Sequence, residues 1–193
     1  ASTDKTREIA QALSQEHPDV VAMHLDKKGR GRALRKAWLE STADIVSYMD
    51  VDLSTELAAF PNLIQAIDEG DDIAIGSRLL RGSSVKRSFK RELTSRSYNF
   101  VIKAMFFTKF TDAQCGFKAL SRKAAQELVP LIQDQAWFFD TELLILAEKK
   151  GYRIREIPVA WIENPDTRVA IAKTVFDDLK GLLRLRFCRG HFQ

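Results

Sequence analysis

Short apolar runs with strand character alternate with stretches of helical periodicity along this chain. Three runs are predicted strands: Val20–Leu25, Ile45–Met49 and Asp72–Gly76. The residues between them predict helices over about Arg32–Glu40 and Thr55–Glu69. Strands that are joined by helices of this length need crossover connections, so they run parallel and are covered by helices. The chain is therefore predicted to be an α/β protein with a mostly parallel sheet flanked by helices.

The ends and the second half of the chain add further predicted elements. The capping residues of Ala1–Thr6 predict a helix start. Helices are predicted from about Phe89 to Phe107, from Ser121 to about Ile132, and beginning near Trp137–Glu142. The alternating run Tyr152–Trp161 is broken at Pro158, which predicts an edge strand.

Composition restricts the class of protein. With 193 residues, of which 45% are hydrophobic, the chain can bury one good core. The net charge of +4 suits a polyanionic partner such as a nucleotide phosphate or an anionic membrane, and is too small to indicate nucleic acid. Cys115 and Cys188 have no metal-ligand spacing, which predicts a reduced, cytosolic setting. No apolar run approaches the roughly 20 residues that cross a bilayer.

Two carboxylates follow the predicted strand Ile45–Met49 directly. Asp50 and Asp52 are one residue apart at a point where the chain leaves the sheet, so both can turn toward one point. Carboxylate oxygens together with phosphate oxygens are preferred ligands of Mg²⁺ and Mn²⁺. Ligands of parallel α/β sheets bind beyond the carboxyl ends of the strands. The pair therefore predicts a site for a divalent cation, against the alternative of two solvated loop aspartates.

A polar and basic segment follows the next strand. Arg78 stands at the end of that strand, and the loop Arg81–Arg87 combines glycine and serine with basic residues. Such a loop can close over phosphate groups, and composition equally fits a solvated loop. Further on, the run Asp112–Lys118 predicts a tight turn, because Gly116 permits a close approach of the backbone or a positive φ.

In this order the motifs resemble those of the family 2 glycosyltransferases of the GT-A fold, nearest the polyprenyl-phosphate (dolichyl-phosphate) mannose and glucose synthases. The resemblance covers nearly the whole chain. It rests on these segments, in chain order: Ser2–Thr6, Lys28–Leu34, Asp50–Ser54, Gly76–Arg78, Lys90–Arg91 with Ser95–Arg96, Asp112–Lys118 and Phe139–Glu142.

Two features of that family are missing from the sequence. The family's opening strand, and the second strand whose acidic residues hold the base and ribose of the nucleotide, have no counterpart here. The resemblance therefore predicts a GT-A catalytic domain over residues 1–170 whose N-terminal strands are missing. Residues 171–193 are expected to form a separate C-terminal amphipathic helix and tail.

The resemblance implies an inverting, metal-dependent transfer of a hexose. Mg²⁺ or Mn²⁺ would be held by Asp50 and Asp52, with Ser54 as a further ligand, and would stabilise the diphosphate leaving group. The residues expected to bind the donor are Asp4, Lys28, Arg30, Asp50 and Arg168. UDP-glucose is the favoured donor, with GDP-mannose as the alternative, because Gln114–Lys118, Trp137 and Phe139–Asp140 look closer to the glucosyl branch.

The acceptor decides which other residues matter. A polyprenyl phosphate brings an oxygen that is already anionic near neutral pH, so it needs arginines more than a base, and Arg78, Arg91 and Arg168 are the candidates. A hydroxyl acceptor would instead need a general base, for which Asp140 and Asp112 are the first choices.

The C-terminal segment combines apolar and basic residues at helical spacing. Its large apolar residues are Ile171, Val175, Phe176, Leu179, Leu182, Leu183 and Phe187, and its charges are Lys173, Lys180, Arg184, Arg186 and Arg189. Such a helix can lie on an anionic membrane, which predicts a place at the cytoplasmic face of the cell membrane. An ordinary helix that packs its stripe on the sheet remains the alternative.

Two further functions stay open at this point. A sugar nucleotidyltransferase shares the α/β framework and the acidic metal ligands, and a binding fragment without activity fits the missing strands. The partners expected here are a nucleotide sugar, a polyprenyl phosphate and a membrane surface or membrane-embedded domain, without nucleic acid. A homo-oligomer is left open.

Overall fold

The computed structural model of the protein describes residues 1–163 and 171–187. The helices are α1 Thr6–Glu16, α2 Arg30–Glu40, α3 Phe60–Asp68, α4 Phe89–Phe106, α5 Arg122–Leu128, α6 Phe139–Lys149 and α7 Ile171–Phe187. The strands are β1 Ile45–Met49, β2 Ile73–Ser77, β3 Ser84–Lys86, β4 Phe117–Ser121, β5 Ile154–Pro158 and β6 Ala160–Ile162. Short 3-10 turns cover Leu57–Ala59 and Val129–Leu131.

The main sheet has four strands in the order β1-β4-β2-β5. Strand β4 runs antiparallel to both of its neighbours, with Met49 paired to Phe117 and Ile75 to Lys118, whereas β2 and β5 are parallel. The α/β class is confirmed, but the described sheet is mixed rather than mostly parallel. The reason is that the turn before β4 lies at the edge where β1 ends, since Asp50 N donates to Gly116 O at 3.0 Å. A strand that starts there must run in the opposite direction.

Each face of this sheet packs on its own layer of helices, because alternate residues of a strand point to opposite sides. In β2, Ile73 and Ile75 belong to the larger core, which also contains residues of α2, α4, α5, α6 and α7. Ala74 lies on the other face, in a smaller core with Leu63 of α3 and Phe117 of β4. The sheet is thus covered on both sides, and the polar groups that follow its strands are concentrated at one edge.

Several predicted boundaries differ from the structure. Val20–Leu25 is not a strand, since no described strand lies beside it to supply hydrogen bonds, and Val21 is 79% exposed. The predicted helix Thr55–Glu69 begins with a 3-10 turn and becomes α-helical only at Phe60, with Pro61 in its first turn. The helix that Ser121 caps, through a hydrogen bond from Ala124 N at 3.2 Å, ends at Leu128, and a 3-10 turn that contains Pro130 follows.

A second, two-stranded sheet orders the basic loop. Strand β3 lies within the predicted loop Arg81–Arg87 and pairs parallel with β6, so that Val85 is opposite Trp161. Trp161 also forms an isolated bridge with Thr55. The predicted strand Tyr152–Trp161 is interrupted as expected: β5 ends at Pro158, and it is an edge strand of the described sheet.

Helices α4 and α7 pack against one another and show apolar side chains on their outer faces. On α7, Leu182 and Leu185 enter the larger core, so the predicted stripe divides between two faces. The exposed apolar residues are Phe176, Leu179, Leu183 and Phe187 on α7, and Phe89, Leu93 and Phe100 on α4, with Phe107 at the end of α4. We call these eight residues the outer stripe. None of the helices that the structure describes is long and apolar enough to cross a membrane.

Candidate active site

Asp50 and Asp52 lie in a tight turn that follows β1. Asp50 O accepts a hydrogen bond from Leu53 N at 3.1 Å, and Leu53 takes a left-handed φ of 51° to close the turn. Asp52 Oδ1 accepts from Ser54 N at 3.1 Å, which fixes one oxygen of that carboxylate. Both aspartates are exposed. The turn therefore presents two carboxylates to solvent where β1 ends, which both the predicted metal site and the alternative of solvated loop aspartates require.

Arg30, the first residue of α2, links Asp50 to a buried carboxylate. Its Nη2 atom lies 3.0 Å from Asp50 Oδ1, and its Nη1 atom lies 3.4 Å from Asp140 Oδ2. The guanidinium carbon is 4.9 Å from the ring centre of Tyr48 and 5.1 Å from that of Trp137. Burial alone would lower the pKa of Arg30, but Asp140 and Asp50 raise it above its usual value. Arg30 is thus a permanent cation whose position is set by two carboxylates and two aromatic rings.

Behind Arg30 lies a group of polar side chains in which Asp140 and Lys118 are fully buried. Asp140 accepts a short hydrogen bond from the Tyr48 hydroxyl and lies 3.0 Å from Lys118 Nζ. Lys118 also donates to Cys115 O at 2.5 Å and to Ala113 O at 3.2 Å. Burial opposes ionisation of Asp140, yet Lys118 and Arg30 lower its pKa below the usual value. Buried charges of this kind persist only when they are paired, so the group is a rigid support for Arg30.

Gly116 allows Asp50 to reach this support. A Cβ atom on residue 116 would lie 1.8 Å from Asp50 Oδ2 and 2.8 Å from Arg30 Nη2. No side chain fits in that space, because real Cβ contacts do not fall below about 3 Å. The glycine of the predicted turn is therefore needed for the close approach of Asp50 rather than for an unusual φ.

Arg78 and Asp112 form a second buried ion pair beside the first. Arg78 donates from Nε to Asp112 Oδ2 at 2.7 Å and from Nη2 to Oδ1 at 2.8 Å, and its backbone N also donates to Oδ2 at 3.0 Å. Burial opposes ionisation, but Arg78 lowers the pKa of Asp112 to about 2. The other side of the guanidinium faces the Trp161 ring at 5.5 Å. Asp112 thus orients Arg78.

A cavity of about 460 Å³ opens next to Asp50. We call it the arginine cavity, because four arginines from three parts of the chain line it. Its lining residues are Arg30, Asp50, Arg78, Arg87, Arg91, Thr94, Ser95, Tyr98, Gln114, Trp137, Trp161, Thr174, Val175 and Asp178. Arg91, in the first turn of α4, lies 2.9 Å from Glu163. The cavity combines cationic groups with aromatic and aliphatic walls, which suits an anion that carries an apolar group.

Asp178 on α7 is a buried carboxylate in the wall of the same cavity. Its Oδ2 accepts from Gln114 Nε2 at 2.6 Å, and its Oδ1 has no hydrogen-bond partner within the described part of the chain. Burial raises the pKa of Asp178 to about 7, and the nearby Asp134 and Asp177 act in the same direction, while Gln114 and Tyr98 oppose them. The carboxyl group can therefore gain or lose a proton near neutral pH.

The remaining predicted donor residues are elsewhere. Asp4 and Lys28 line a different cavity, of about 440 Å³, at the N-terminal end of the chain. Asp4 also lies just before α1, and its Oδ1 accepts a hydrogen bond from Thr6 N at 3.1 Å. Arg168 lies outside the described residues. The structure thus brings Arg30, Asp50, Arg78 and Arg91 into one cavity and leaves Asp4 and Lys28 in another.

The donor atoms near Asp50 fit a hard divalent cation only in part. Within residues 1–163 and 171–187, no group of three or more His, Cys, Asp or Glu can hold a metal ion. Asp50 and Asp52 are two exposed carboxylates, and Ser54 is half-buried with its backbone N bound to Asp52. Mg²⁺ is commonly held by one or two carboxylates together with substrate phosphates. The residues fit a cation that arrives with a diphosphate.

Sequence reasoning missed three members of the site, namely Tyr48, Lys118 and Asp178. It included Arg87 only as one residue of the loop Arg81–Arg87 that could close over phosphate groups. Tyr48 gave a weak signal, because a tyrosine is common in strands and its hydroxyl has no partner that can be read from the sequence. Lys118 belonged to a matched motif but had no assigned role, because nothing in the sequence predicted β4 or a fully buried lysine. Asp178 lies on the packed face of α7, where a carboxylate is unexpected.

Comparison with known proteins identifies relatives of the chain. The family model described as "Glycosyl transferase family 2" matches residues 1–129. Glycosyltransferase AglD of Haloferax volcanii is 36% identical over 183 residues, which cover 94% of this chain and 29% of that protein. A dolichyl-phosphate beta-glucosyltransferase of Trichomonas vaginalis is 30% identical, over 89% of this chain and 53% of that protein. The chain thus spans between about a third and a half of these two relatives.

A solved structure shares the fold. The glucosyl-3-phosphoglycerate synthase of Mycobacterium tuberculosis, in complex with Mn²⁺, UDP and phosphoglyceric acid, superimposes with a TM-score of 0.68. The match covers 96% of this chain and 64% of that chain, at 18% identity. It confirms the predicted GT-A fold class.

Proposed function

We propose, since this chain belongs to glycosyl transferase family 2, that it transfers glucose from UDP-glucose to a polyprenyl phosphate at a membrane surface, with inversion at the anomeric carbon. The observation that carries the proposal is the arginine cavity beside Asp50. Guanidinium groups pair bidentately with phosphate oxygens. The apolar walls of the same cavity suit the first units of a prenyl chain.

Asp112 and Asp140, the predicted general bases for a hydroxyl acceptor, are not available for that role. Asp112 is bound at both oxygens by Arg78, and Asp140 is held by Lys118, Arg30 and Tyr48. Both are fully buried, and their pKa values lie below the usual range, which makes them weak bases. A phosphate acceptor needs no base, because its oxygen is already anionic near neutral pH.

Asp50 and Asp52 are the residues that would hold Mg²⁺ or Mn²⁺, with Ser54 beside them. When bound, the cation would supply positive charge to the leaving diphosphate as the bond to the sugar breaks. Arg30 would keep the Asp50 carboxylate in place and add a second positive charge at the same point. Gly116 would leave the room that this arrangement needs.

The donor is proposed from the residues and from the names of relatives. The Trichomonas vaginalis protein is named a glucosyltransferase that acts with dolichyl phosphate. UDP-glucose is therefore the first donor to test, and GDP-mannose the second. Asp4 and Lys28 line the N-terminal cavity, which makes them candidates for contacts to the nucleotide rather than to the acceptor.

The outer stripe supports action at a membrane, at its cytoplasmic face. Eight large apolar side chains are exposed on two helices that pack together, and the exposed Lys180 and Arg186 flank the stripe on α7. Apolar residues of this kind insert into the interface, and lysine and arginine add attraction to anionic lipids. Thr174, Val175 and Asp178 of the same helix line the arginine cavity, so a docked helix would bring the cavity to the lipid.

A second acceptor class is favoured by one observation. Asp178 is a carboxyl group in the cavity wall with an unpartnered oxygen and a pKa of about 7. A group with these properties can take the proton of a hydroxyl acceptor. Transfer to a hydroxyl is therefore the alternative that the experiment must separate from transfer to a phosphate.

The test is a transfer assay with the purified protein. Labelled UDP-glucose or GDP-mannose is incubated with Mn²⁺ or Mg²⁺ and either a polyprenyl phosphate or the matching polyprenol, with and without a chelator. We expect a glucosylated lipid phosphate, formed only with metal and only with the phosphorylated lipid. Transfer to the alcohol would favour the hydroxyl route. A separate arm offers labelled glucose 1-phosphate with UTP. Formation of UDP-glucose with release of pyrophosphate in that arm, or no product in any arm, would overturn the proposal.

A further inference from the structure

Arg87 is an arginine of the cavity wall that none of the matched family motifs includes. It follows β3 directly and precedes α4, and its side chain is only 3% exposed. Its Nε atom donates a short hydrogen bond to Glu92 Oε2. Its Nη2 atom is buried and has no hydrogen-bond partner in the described residues.

This unpartnered nitrogen sets Arg87 apart from the other arginines of the cavity. Arg30 is paired with Asp50 and Asp140, and Arg78 is paired with Asp112. Arg91 is paired with Glu163. A buried N–H group without a partner is unfavourable, and a native protein seldom keeps one unless a ligand or water completes it. The geometry of Arg87 is that of a site whose acceptor atom belongs to another molecule.

Glu92 holds Arg87 in this position from behind. It accepts short hydrogen bonds from both Arg87 and Arg96. The bond from Arg87 lowers the pKa of Glu92, so the carboxylate stays ionised at neutral pH. Because Glu92 binds the Nε edge, the Nη edge of the guanidinium remains for an anion.

We infer that Arg87 binds a phosphate group in the arginine cavity, and that this phosphate is the acceptor's monophosphate. The inference rests on the proposed function, which it refines by adding a third guanidinium to Arg78 and Arg91. Arg87 and Arg91 flank the start of α4, and that helix also contributes Thr94, Ser95 and Tyr98 to the cavity. The donor's diphosphate is expected instead at Asp50 and Asp52, where the cation would be.

The experiment compares Arg87→Gln with Arg96→Gln, a matched control. Both arginines bind Glu92, both changes remove one charge, and Arg96 is exposed and does not line the cavity. Three probes are used with each purified variant: farnesyl phosphate, farnesol and UDP with Mn²⁺. Binding is measured by calorimetry, and transfer to farnesyl phosphate gives kcat and KM.

We expect Arg87→Gln to weaken farnesyl phosphate binding and to raise its KM about 10-fold to 100-fold, as for loss of one charged hydrogen bond. The affinity of Arg87→Gln for UDP should equal that of the parent. The Arg96→Gln control should bind farnesyl phosphate and UDP like the parent. Arg87→Lys keeps the charge without the planar guanidinium group, so its affinity for farnesyl phosphate should lie between those of the parent and Arg87→Gln. If Arg87→Gln does not fold, Arg87→Lys serves as the test variant.

Two results would overturn the inference. An equal or larger loss of UDP affinity would place Arg87 on the donor diphosphate. Farnesyl phosphate binding that matches the Arg96 control in both Arg87 variants would leave it a structural residue. Failure of the proposed function is distinct from either result, because the parent protein itself would then neither bind farnesyl phosphate nor glucosylate it.

Discussion

Gly116 and Asp50 lie so close together that a Cβ atom on residue 116 would stand 1.8 Å from the Asp50 carboxylate. We predict that Gly116→Ala displaces Asp50 and lowers kcat about 100-fold, the scale expected when a reacting geometry shifts by about 1 Å. Turnover and Mn²⁺ affinity measure the effect. The control is Gly151→Ala, which meets no atom within 4 Å but has a φ of 80°. It should cost about 1–2 kcal/mol of stability and leave turnover unchanged.

Asp52→Ala should abolish transfer while the fold stays intact, because the side chain is exposed and its proposed role is to hold the cation. Asp50→Ala should also weaken transfer strongly, since it removes a ligand and the partner of Arg30. Turnover is measured as Mn²⁺ is titrated, beside Asp44→Ala, a fully exposed aspartate just before β1. If Asp52→Ala turns over nearly as fast as the parent at saturating Mn²⁺, Asp52 is not a ligand of the cation.

Arg78→Ala should destabilise the protein by about 3–5 kcal/mol at pH 7, because it leaves Asp112 buried and unpaired. The pair depresses the pKa of Asp112 to about 2, so its contribution is complete above about pH 4 and is lost as the pH falls toward 2. The difference between variant and parent should shrink over that range in urea denaturation. Arg155→Ala, which breaks an exposed ion pair with Glu69, should have a far smaller effect.

Asp178→Asn should stabilise the protein more at pH 8 than at pH 5. Burial raises the folded-state pKa of Asp178 to about 7, so the folded protein holds this proton more tightly than the unfolded chain does. The cost of ionising it therefore grows from about pH 4 and is complete above about pH 7. The measurement is the melting temperature of the parent and of Asp178→Asn between pH 5 and pH 8. A gain that does not depend on pH would mean that the carboxyl group titrates normally. If Asp178 also acts as a base, transfer to a hydroxyl acceptor would fall in the same variant.

The double change Phe176→Gln and Leu183→Gln should release the protein from anionic vesicles, because it breaks the outer stripe without touching the core. Lys180→Gln with Arg186→Gln should weaken binding at low salt, by roughly 1 kcal/mol per charge. Arg184 is left in place, since it pairs with the buried Glu142. Co-sedimentation is the measurement, and Leu57→Gln, an exposed leucine elsewhere, is the control. If the variant with Phe176→Gln and Leu183→Gln sediments with vesicles like the parent, another surface of the protein must bind the membrane.

The elements that could be predicted are those whose signals are local. Ile45–Met49 is a strand at its predicted bounds because its apolar run and the aspartates after it are contiguous. Strand β4 was missed because it contains a lysine, and only the tertiary structure explains how Lys118 is buried: Asp140 and two carbonyl groups satisfy it. Val20–Leu25 shows the converse, since strand propensity does not form a strand without a neighbour.

The residues of the candidate site were likewise predictable only where their signal is local in the sequence. The motif residues Asp50, Arg78 and Arg91 were predictable as parts of one site, and they do line one cavity. The predicted roles of Asp112 and Asp140 as bases could not be judged, because a side chain's partners decide its pKa and those partners are distant in sequence. Asp178 was not identified, and Arg87 was identified only as part of a loop that could close over phosphates, since an unpartnered buried atom exists only in three dimensions.

Tyr48 donates its hydroxyl to Asp140, a residue 92 positions later in the chain. Contacts between residues so far apart form slowly, because the chain must first close a long loop. During synthesis, the aspartates after β1 leave the ribosome long before α6 does. Until α6 arrives, Arg30 lacks one of its two carboxylates and Lys118 lacks its counter-ion. A nascent chain therefore displays Asp50 and Asp52 early but acquires the ordered candidate site only after α6 has been synthesised.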